Sequence, residues 1–423
     1  MHSLSSSKIL IITQNFYPEI GSHANRMNNI FQLIQKEGYD VSVLTTEATY
    51  PNKQLYKDKK FWNDKTLDDA SKIHRIKVKN RKYALNMLNR LIHYLEISIK
   101  MLFFVLFSKQ KYDVVLVTTP AIFIAFVGIV AKLRYRSKFI LDVRDLWPES
   151  LKGVGVFNRK VIINLFSLLE IYLYKKANHI IINSIGFRDY IVNKAKINPK
   201  KITYIPNAGR QYELQPTYRF HKKFRVIYTG NIGLAQDVEF LKSLVRKLDK
   251  NHILITIVGY GQKKNELQRF IKDNKLNNVS FVNPTTRAEC LKLNSEHDVG
   301  VLSLNNNDVF DTVLPGKLID YMISGLPVVA AVSGYSKEII QKYQSGFFSE
   351  KRDAYEIVKY ILLLKYSPEL REKTANNAIN LIKDQFIWEK NIKKLISLLK
   401  EENQVAEPEP VPLLNQIDKD IRL

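Results

Sequence analysis

PGKLIDYMISGLPVV, residues 315–329, runs a turn, a helix and a strand together without a break. Pro315 and Gly316 read as a tight turn and 317–324 as a short helix. Gly325 suits the left-handed position that follows a helix C-terminus. The apolar run 326–332 then reads as a buried strand. A helix that feeds directly into a buried strand is the repeating unit of an α/β sheet. The front of the stretch also carries chemistry. A helix N-terminus presents unpaired backbone N–H groups and a partial positive charge, which suits a phosphate. Lys317 adds a full charge there, beside Gly316 and Leu318. Asp320 lies one turn on, where a carboxylate can accept from a sugar hydroxyl. Taken alone, these residues fit both a grip on a nucleotide-sugar diphosphate and a plain helix–strand junction.

Working outward, strand and helix patterns alternate along the chain. Strands are expected at 9–13, 41–44, 73–78, 114–117, 139–143, 179–183 and 203–205, with helices at 27–36, 88–107 and 159–176 among them. The pattern restarts after a polar, basic linker at 219–225. Strands are expected at 225–229, 253–258, 279–282, 299–302 and 328–332, and a last helix at 387–400. This alternation predicts an α/β fold of two Rossmann-like, doubly wound parallel-sheet domains with a cleft between them. The expected divisions are 8–210, 221–385, a C-terminal helix at 386–402 packing back on the first domain, and a Pro- and Glu-rich flexible tail at 403–423. A chain of 423 residues is long enough for two cores.

The net charge of +24 calls for an anionic partner: phosphorylated substrates, acidic lipid or nucleic acid. No nucleic-acid module is recognisable, so nucleic acid ranks last. The single cysteine, Cys290, excludes an intramolecular disulfide framework, fits a reducing compartment and reads as packing. MHSLSSSK leads straight into ILIIT, too short an apolar run for a secretory leader. No segment reaches the length of a spanning helix. The expected location is the cytoplasmic face of a membrane, held peripherally by the basic, aromatic region 72–111. There Lys72, Arg75, Lys77, Lys100, Lys109 and Lys111 alternate with apolar residues. A solvated basic face over a core helix is the competing reading of that region.

Ligands of doubly wound sheets bind beyond the carboxyl ends of the strands. Four loops there carry candidate residues. FYPEIGSHANR, 16–26, offers Gly21 for close backbone approach and His23, Asn25 and Arg26 as donors. FILDVRDLWPES, 139–150, delivers Asp142, Arg144, Asp145 and Trp147, for sugar hydroxyls or proton transfer. An ion pair closing the strand is the other reading. YTGNIGLAQDVEFL, 228–241, has phosphate-loop spacing through Gly230, Asn231, Gly233 and Gln236, and GYGQ at 259–262 repeats the idea at Gly259.

Together and in this order, DVRDLWPES, YTGNIGLAQ and PGKLIDYMISGLPVV resemble the family 4 glycosyltransferases of GT-B architecture, over about 9–400. The resemblance is nearest to the bacterial subgroup that adds N-acetyl-fucosamine or related amino sugars in capsule and O-antigen assembly. It implies a UDP-sugar donor held mainly by the C-terminal domain, at Gly230, Asn231, Gly233, Gln236, Gly259, Gly316, Lys317, Leu318 and Asp320, with Gly21 from the N-terminal domain. It implies a polyprenyl-diphosphate-linked saccharide acceptor on the N-terminal domain at His23, Asn25, Arg26 and Trp147, with Asp145 and Arg144 catalytic. Anomeric configuration would be retained, with no cofactor and no essential metal. The chain departs from the broad family in several places. Ser22 follows Gly21 where a second glycine is common, Asn231 and Gln236 stand where Arg and Lys are usual, and Thr312 replaces the first of two paired Glu. Lys317 is thereby left as the chief counter-charge. Alternatives are a UDP-sugar epimerase of the same fold, a non-catalytic membrane-surface scaffold and, more distantly, a nicotinamide dehydrogenase.

Overall fold

The structure is a computed structural model that describes residues 7–79, 87–119, 122–153, 160–215, 221–233 and 235–401. The expected tail at 403–423, residues 219 and 220 of the expected linker, and Arg81, Lys82 and Tyr83 of the basic region lie outside the described residues.

The first half runs β1 (Lys8–Ile12), α1 (Ser22–Lys36), β2 (Asp40–Thr46), β3 (Ile73–Ile76), α2 (Met87–Phe107), β4 (Val114–Thr118), α3 (Ile122–Tyr135), β5 (Lys138–Val143), α4 (Glu149–Gly153), α5 (Lys160–Lys176), β6 (His179–Ile182), α6 (Phe187–Ala195) and β7 (Ile202–Tyr204). The second runs β8 (Arg225–Asn231), α7 (Val238–Lys250), β9 (Leu254–Tyr260), α8 (Lys264–Asp273), β10 (Val279–Val282), α9 (Arg287–Ser295), β11 (Val299–Ser303), α10 (Asp308–Asp311), α11 (Gly316–Ile323), β12 (Val328–Ala331), α12 (Gly334–Tyr343), β13 (Gly346–Phe348), α13 (Ala354–Tyr366), α14 (Pro368–Gln385) and α15 (Trp388–Glu401).

Among the described residues the strands form two sheets, β3-β2-β1-β4-β5-β6-β7 and β10-β9-β8-β11-β12-β13. Every pairing in them is parallel. The two Rossmann-like sheets read from the sequence are therefore present. Each strand order reverses beside the first strand of its half, β1 against β4 and β8 against β11. The crevice at such a reversal is where these sheets take ligands. Strands covered on both faces read as unbroken apolar runs. VVLVT of β4 is one, buried along its whole length.

On one face of the first sheet, Leu10, Val115 and Leu141 pack with α2, α3, α5 and α6. The other face takes α1, and α15 returns from the far end of the chain to lie against it. Ile392, Leu395 and Leu399 share a cluster with Met27, Ile30 and Phe31. The same cluster continues through Leu318, Val328 and Leu302 of the second half, so the halves share apolar contact as well as facing loops. The return is fixed by backbone bonds. Gly209 N donates to Phe386 O at 2.9 Å and Trp388 N to Gly209 O at 2.8 Å.

Three details differ from the sequence reading. Helix α1 begins at Ser22, not 27, because Gly21 turns the chain with φ +110 and serves as its N-cap. The polar run SHANR hid this start, since Arg26 is a buried residue of the helix and not a loop residue. Short strand β13 had no signal of its own. Residues 53–67, to which no element was assigned, hold three 3-10 turns. Asn52, Asp58 and Asp64 cap them, each accepting from a backbone N–H two residues on.

Candidate active site

Two helix N-termini meet across the cleft. Helix α1 starts after Gly21 and α11 after Pro315, and neither has a side-chain cap. A Cβ added to Gly316 would lie 2.8 Å from the Ser22 Cβ. A Cβ on Gly21 would lie 3.1 Å from the Tyr260 hydroxyl. The first N–H groups of both helices have no intrahelical acceptor, and both dipoles present their positive ends to one spot. Neither helix has an acid in its first turn to compensate.

Lys317 stands at that spot. Its Nζ donates to the Tyr228 hydroxyl at 3.0 Å and lies 4.3 Å from the centre of the same ring. Gly230, with φ +110, leaves the passage open, since a Cβ there would touch Lys317 Cε at 3.5 Å. No carboxylate pairs with Lys317 among the described residues, and burial pulls its ammonium down to about 7. A cation held in this way gains from any anion that enters.

Asp320, one turn on, faces a second basic group. Its Oδ1 accepts from Arg287 Nη1 at 2.8 Å. Arg287 reaches across to Glu213 as well, with Nε to Oε1 at 2.6 Å and Nη2 to Oε2 at 3.0 Å. The two carboxylates keep the Arg287 guanidinium firmly charged. Burial pushes Asp320 up while Arg287 opposes it, and one carboxylate oxygen remains to receive a hydroxyl. Cys290 lies beside Asp320 and Thr229, its thiol pushed up to about 12 by burial.

The opposite wall holds His23, Arg144 and Asp145. His23 is in the first turn of α1 and open to solvent within the cleft. Surrounding protein, and then the Arg144 charge, lower its imidazole well below the ordinary value, so it is neutral at pH 7. Asp145 is pushed up to about 6 by burial, with Arg144 opposing. Arg144 itself is buried, its Nε donating to Thr119 O at 2.7 Å, so its part at the site is electrostatic.

Several expected site residues are committed elsewhere. Arg26 was assigned to the acceptor, but its side chain is wholly buried and pairs with Asp142 at 2.7 Å, both at 0% exposure. Thr118 Oγ1 also donates to Asp142, at 3.1 Å, and the Arg26 guanidinium lies 5.6 Å from the Trp388 ring centre. Asp142 is thus also withdrawn from any sugar. Trp147 packs edge-on against Phe166 with ring centres 4.7 Å apart and is buried. Leu318 is a core residue, and its N–H bonds back to Pro315 O at 3.1 Å. Gly259 sits in the β8–β9 ladder opposite Gly230. Gln236 Oε1 accepts from Gly233 N at 3.0 Å, so these two brace their own turn. Asn231 is wedged between Gly233 and Gly261, where a Cβ would come within 2.7 Å and 2.2 Å of its amide. Asn25 is half-buried and pairs with Asn29 one turn on. The fold brings together Gly21, Gly230, Gly316, Lys317, Asp320, His23, Arg144 and Asp145.

The sequence reading missed Tyr228, Arg287, Glu213 and Tyr260. Arg287 was within reach, because it opens a helix in the loop after β10, at the carboxyl end of a strand. Thr312, one of the residues that depart from the family pattern, closes the seam, for its carbonyl accepts from Ser184 Oγ. Among the described residues no group of three or more His, Cys, Asp or Glu could hold a metal ion.

Comparisons with known proteins bear on the family and the fold. Residues 21–208 match the family model described as Glycosyl transferase 4-like domain, and 211–381 the model Glycosyl transferases group 1. WcaI of Escherichia coli (strain K12), named as a colanic acid biosynthesis glycosyl transferase, is 22% identical over 352 residues, 78% of this chain and 84% of its own. The uncharacterized glycosyltransferase MJ1069 of Methanocaldococcus jannaschii is 21% identical over 68% of this chain and 74% of its own. Among solved structures, the sucrose-phosphate synthase of Thermosynechococcus elongatus superposes with a TM-score of 0.71 at 15% identity, covering 94% of this chain and 99% of that one. Anabaena HepE, in complex with UDP and glucose, superposes with a TM-score of 0.64 at 16% identity, over 93% and 100%. At such identities the two structures speak for the fold.

Proposed function

Since this chain is a glycosyltransferase of GT-B architecture, we propose that it moves a sugar from a UDP-sugar to a polyprenyl-diphosphate-linked glycan in surface-polysaccharide assembly. The observation that carries the donor half is Lys317 between two uncapped helix N-termini, with no carboxylate paired to it among the described residues. That arrangement matches a diphosphate, whose charge it neutralises without a metal ion. Asp320, steadied by Arg287, receives a ribose hydroxyl. HepE, a structural neighbour, was solved with UDP and with UDP-glucose, which supports the choice of nucleotide. The name of WcaI supports the polysaccharide setting. An N-acetylated amino sugar is the proposed donor sugar, on the resemblance of DVRDLWPES, YTGNIGLAQ and PGKLIDYMISGLPVV to transferases of such sugars.

In the proposed reaction the acceptor hydroxyl attacks the anomeric carbon from the face that the diphosphate leaves. The carbon–phosphate oxygen bond breaks, the new carbon–oxygen bond forms, and the acceptor proton passes to the departing phosphate oxygen. UDP and a glycoside of unchanged anomeric configuration result. Lys317 and the helix N-termini stabilise charge building on the leaving group. Asp145 and neutral His23 line the acceptor side. The test is purified protein with a panel of UDP-sugars and a lipid-linked acceptor, with and without EDTA. Transfer with retention, unaffected by EDTA, is expected. Normal nucleotide-sugar binding with neither transfer nor donor hydrolysis would overturn the reading, and conversion of the donor alone would turn it into an epimerase.

A further inference from the structure

We propose that the outward faces of α2, α3 and α5 form one apolar layer that seats the enzyme on an anionic phospholipid bilayer. This rests on the lipid-linked acceptor reading above and specifies the surface. No helix among the described residues is long and apolar enough to cross a membrane, so the contact is interfacial.

Helix α2 turns Ile97, Met101 and Val105 into the core. Its other face presents Ile92, Leu95, Ile99, Phe103 and Leu106, each more than two-fifths exposed. Helix α5 buries Phe166 and Leu173 and presents Val161, Leu165, Leu168 and Tyr172, with Val161 at 80% and Leu168 at 65%. Both sets follow helical spacing, so each is a stripe on one side. Helix α3 lies between them, packed on both. Its outward residues are Phe123, Phe126 and Val130, half-buried, and Leu133, 73% exposed. Phe126 stacks on Tyr172 with ring centres 6.2 Å apart, which joins the α3 and α5 stripes. Scattered apolar residues are normal on a surface, whereas a three-helix layer of them is not.

Charge selects a bilayer over a protein. Between 161 and 174, α5 carries one charged residue, Glu170, and it points inward to Tyr174 and Lys194. Cations collect instead where the three helices end: Lys109 after α2, Lys132, Arg134 and Arg136 at α3, and Lys175 and Lys176 at α5. Two of them tie the ends together, Lys132 Nζ donating to Lys176 O at 3.1 Å and Arg134 Nε to Leu106 O at 3.4 Å. An apolar field bordered by lysine and arginine, with Glu96 of α2 paired to Lys100, fits acyl chains under anionic headgroups. The basic region read from sequence covers only part of this surface, and its Lys72, Arg75 and Lys100 pair with Asp40, Asp68 and Glu96 instead.

The test is co-sedimentation of the full chain with phosphatidylglycerol–phosphatidylethanolamine vesicles and with phosphatidylcholine vesicles. Binding is expected to the anionic vesicles and to fall with added salt. Leu165→Glu with Leu168→Glu, and separately Phe103→Glu, are each expected to lower the bound fraction about tenfold, since burying a charge opposes insertion. UDP-sugar affinity should not change, which also reports that the variants fold. Equal vesicle binding by wild type and both variants overturns the proposal while leaving the transferase reading intact. So does absence of vesicle binding in a wild type that transfers to lipid-linked acceptor in detergent. A wild-type dimer that the glutamate variants dissociate, without vesicle binding, makes the layer an interface between copies and also overturns it. Failure of transfer with vesicle binding intact strikes the function and not the surface.

Discussion

Gly316 approaches Ser22 so closely that a Cβ on the glycine would stand 2.8 Å from the serine Cβ. Carbon atoms at rest lie about 3.5–4.0 Å apart, so this approach requires the missing side chain. Gly316→Ala should part the two helix N-termini without unfolding either helix, because alanine suits a helix start. Donor affinity measured by calorimetry is expected to fall about tenfold, a loss of about 1.4 kcal/mol. Ser22→Gly in the same chain should recover most of it. Wild-type affinity in the Gly316→Ala protein would show that the convergence of N-termini is not used.

Lys317 should make donor binding depend on pH. Burial holds its ammonium at about 7 against an ordinary 10.5, and a bound diphosphate raises it again. Between the free and bound values, binding takes up a proton. Affinity should therefore fall as pH rises above about 7, by up to about tenfold per pH unit. Lys317→Met should bind weakly and show no slope over that window. The effect on stability has the opposite sign. Above about 7 the unfolded chain still holds the proton that the folded chain has lost. The folded state therefore gains on raising the pH toward 10.5. Thermal unfolding of the unliganded protein at pH 7 and pH 9 checks this.

What was legible in the sequence follows from what each residue sees. Parallel strands covered on both faces read as apolar runs, so β4, β8 and β12 announce an α/β fold without tertiary information. Gly316 and Lys317 are legible for a similar reason, because a helix start is a local event. Side-chain direction on a polar helix is not local. His23 and Arg26 are three residues apart on α1, yet His23 enters the cleft and Arg26 the core. Only the position of Asp142 on β5 decides this, and β5 is far away in the chain. Arg287 escaped notice likewise, since Glu213 and Asp320 come to it from separate segments. Trp147 stands next to a cleft loop in sequence but finds Phe166 on α5.

Arg26 and Asp142 form a wholly buried pair, so their loss should appear in stability before activity. Arg26→Ala leaves a carboxylate without its cation in the core, which costs about 3–5 kcal/mol in comparable cases. Urea unfolding should show that loss as a lower midpoint. Arg26→Met with Asp142→Leu removes both charges and should restore most of the stability. A single variant of unchanged midpoint but lost acceptor affinity would return Arg26 to the acceptor site.

Asp145 should set the acid limb of the rate profile. Burial pushes its carboxyl up to about 6, with the Arg144 guanidinium limiting the rise. A carboxylate that orients an acceptor hydroxyl must be ionised, so at saturating donor kcat/KM for the acceptor should climb with pH through about 6 and level off above it. His23 does not produce this limb, because its imidazole is held well below 6.5 and is already neutral there. Asp145→Asn should abolish the limb and lower the plateau by about 100-fold, in the range seen for positioned acid–base groups, with donor affinity unchanged. Arg144→Gln should move the limb to higher pH, since the charge that limits the Asp145 rise is gone. That shift separates an electrostatic role for Arg144 from a merely structural one, which would lower stability and leave the midpoint near 6. With Lys317 weakening donor binding above about 7, rates at low donor concentration should peak between the two groups. At saturating donor only the acid limb should remain.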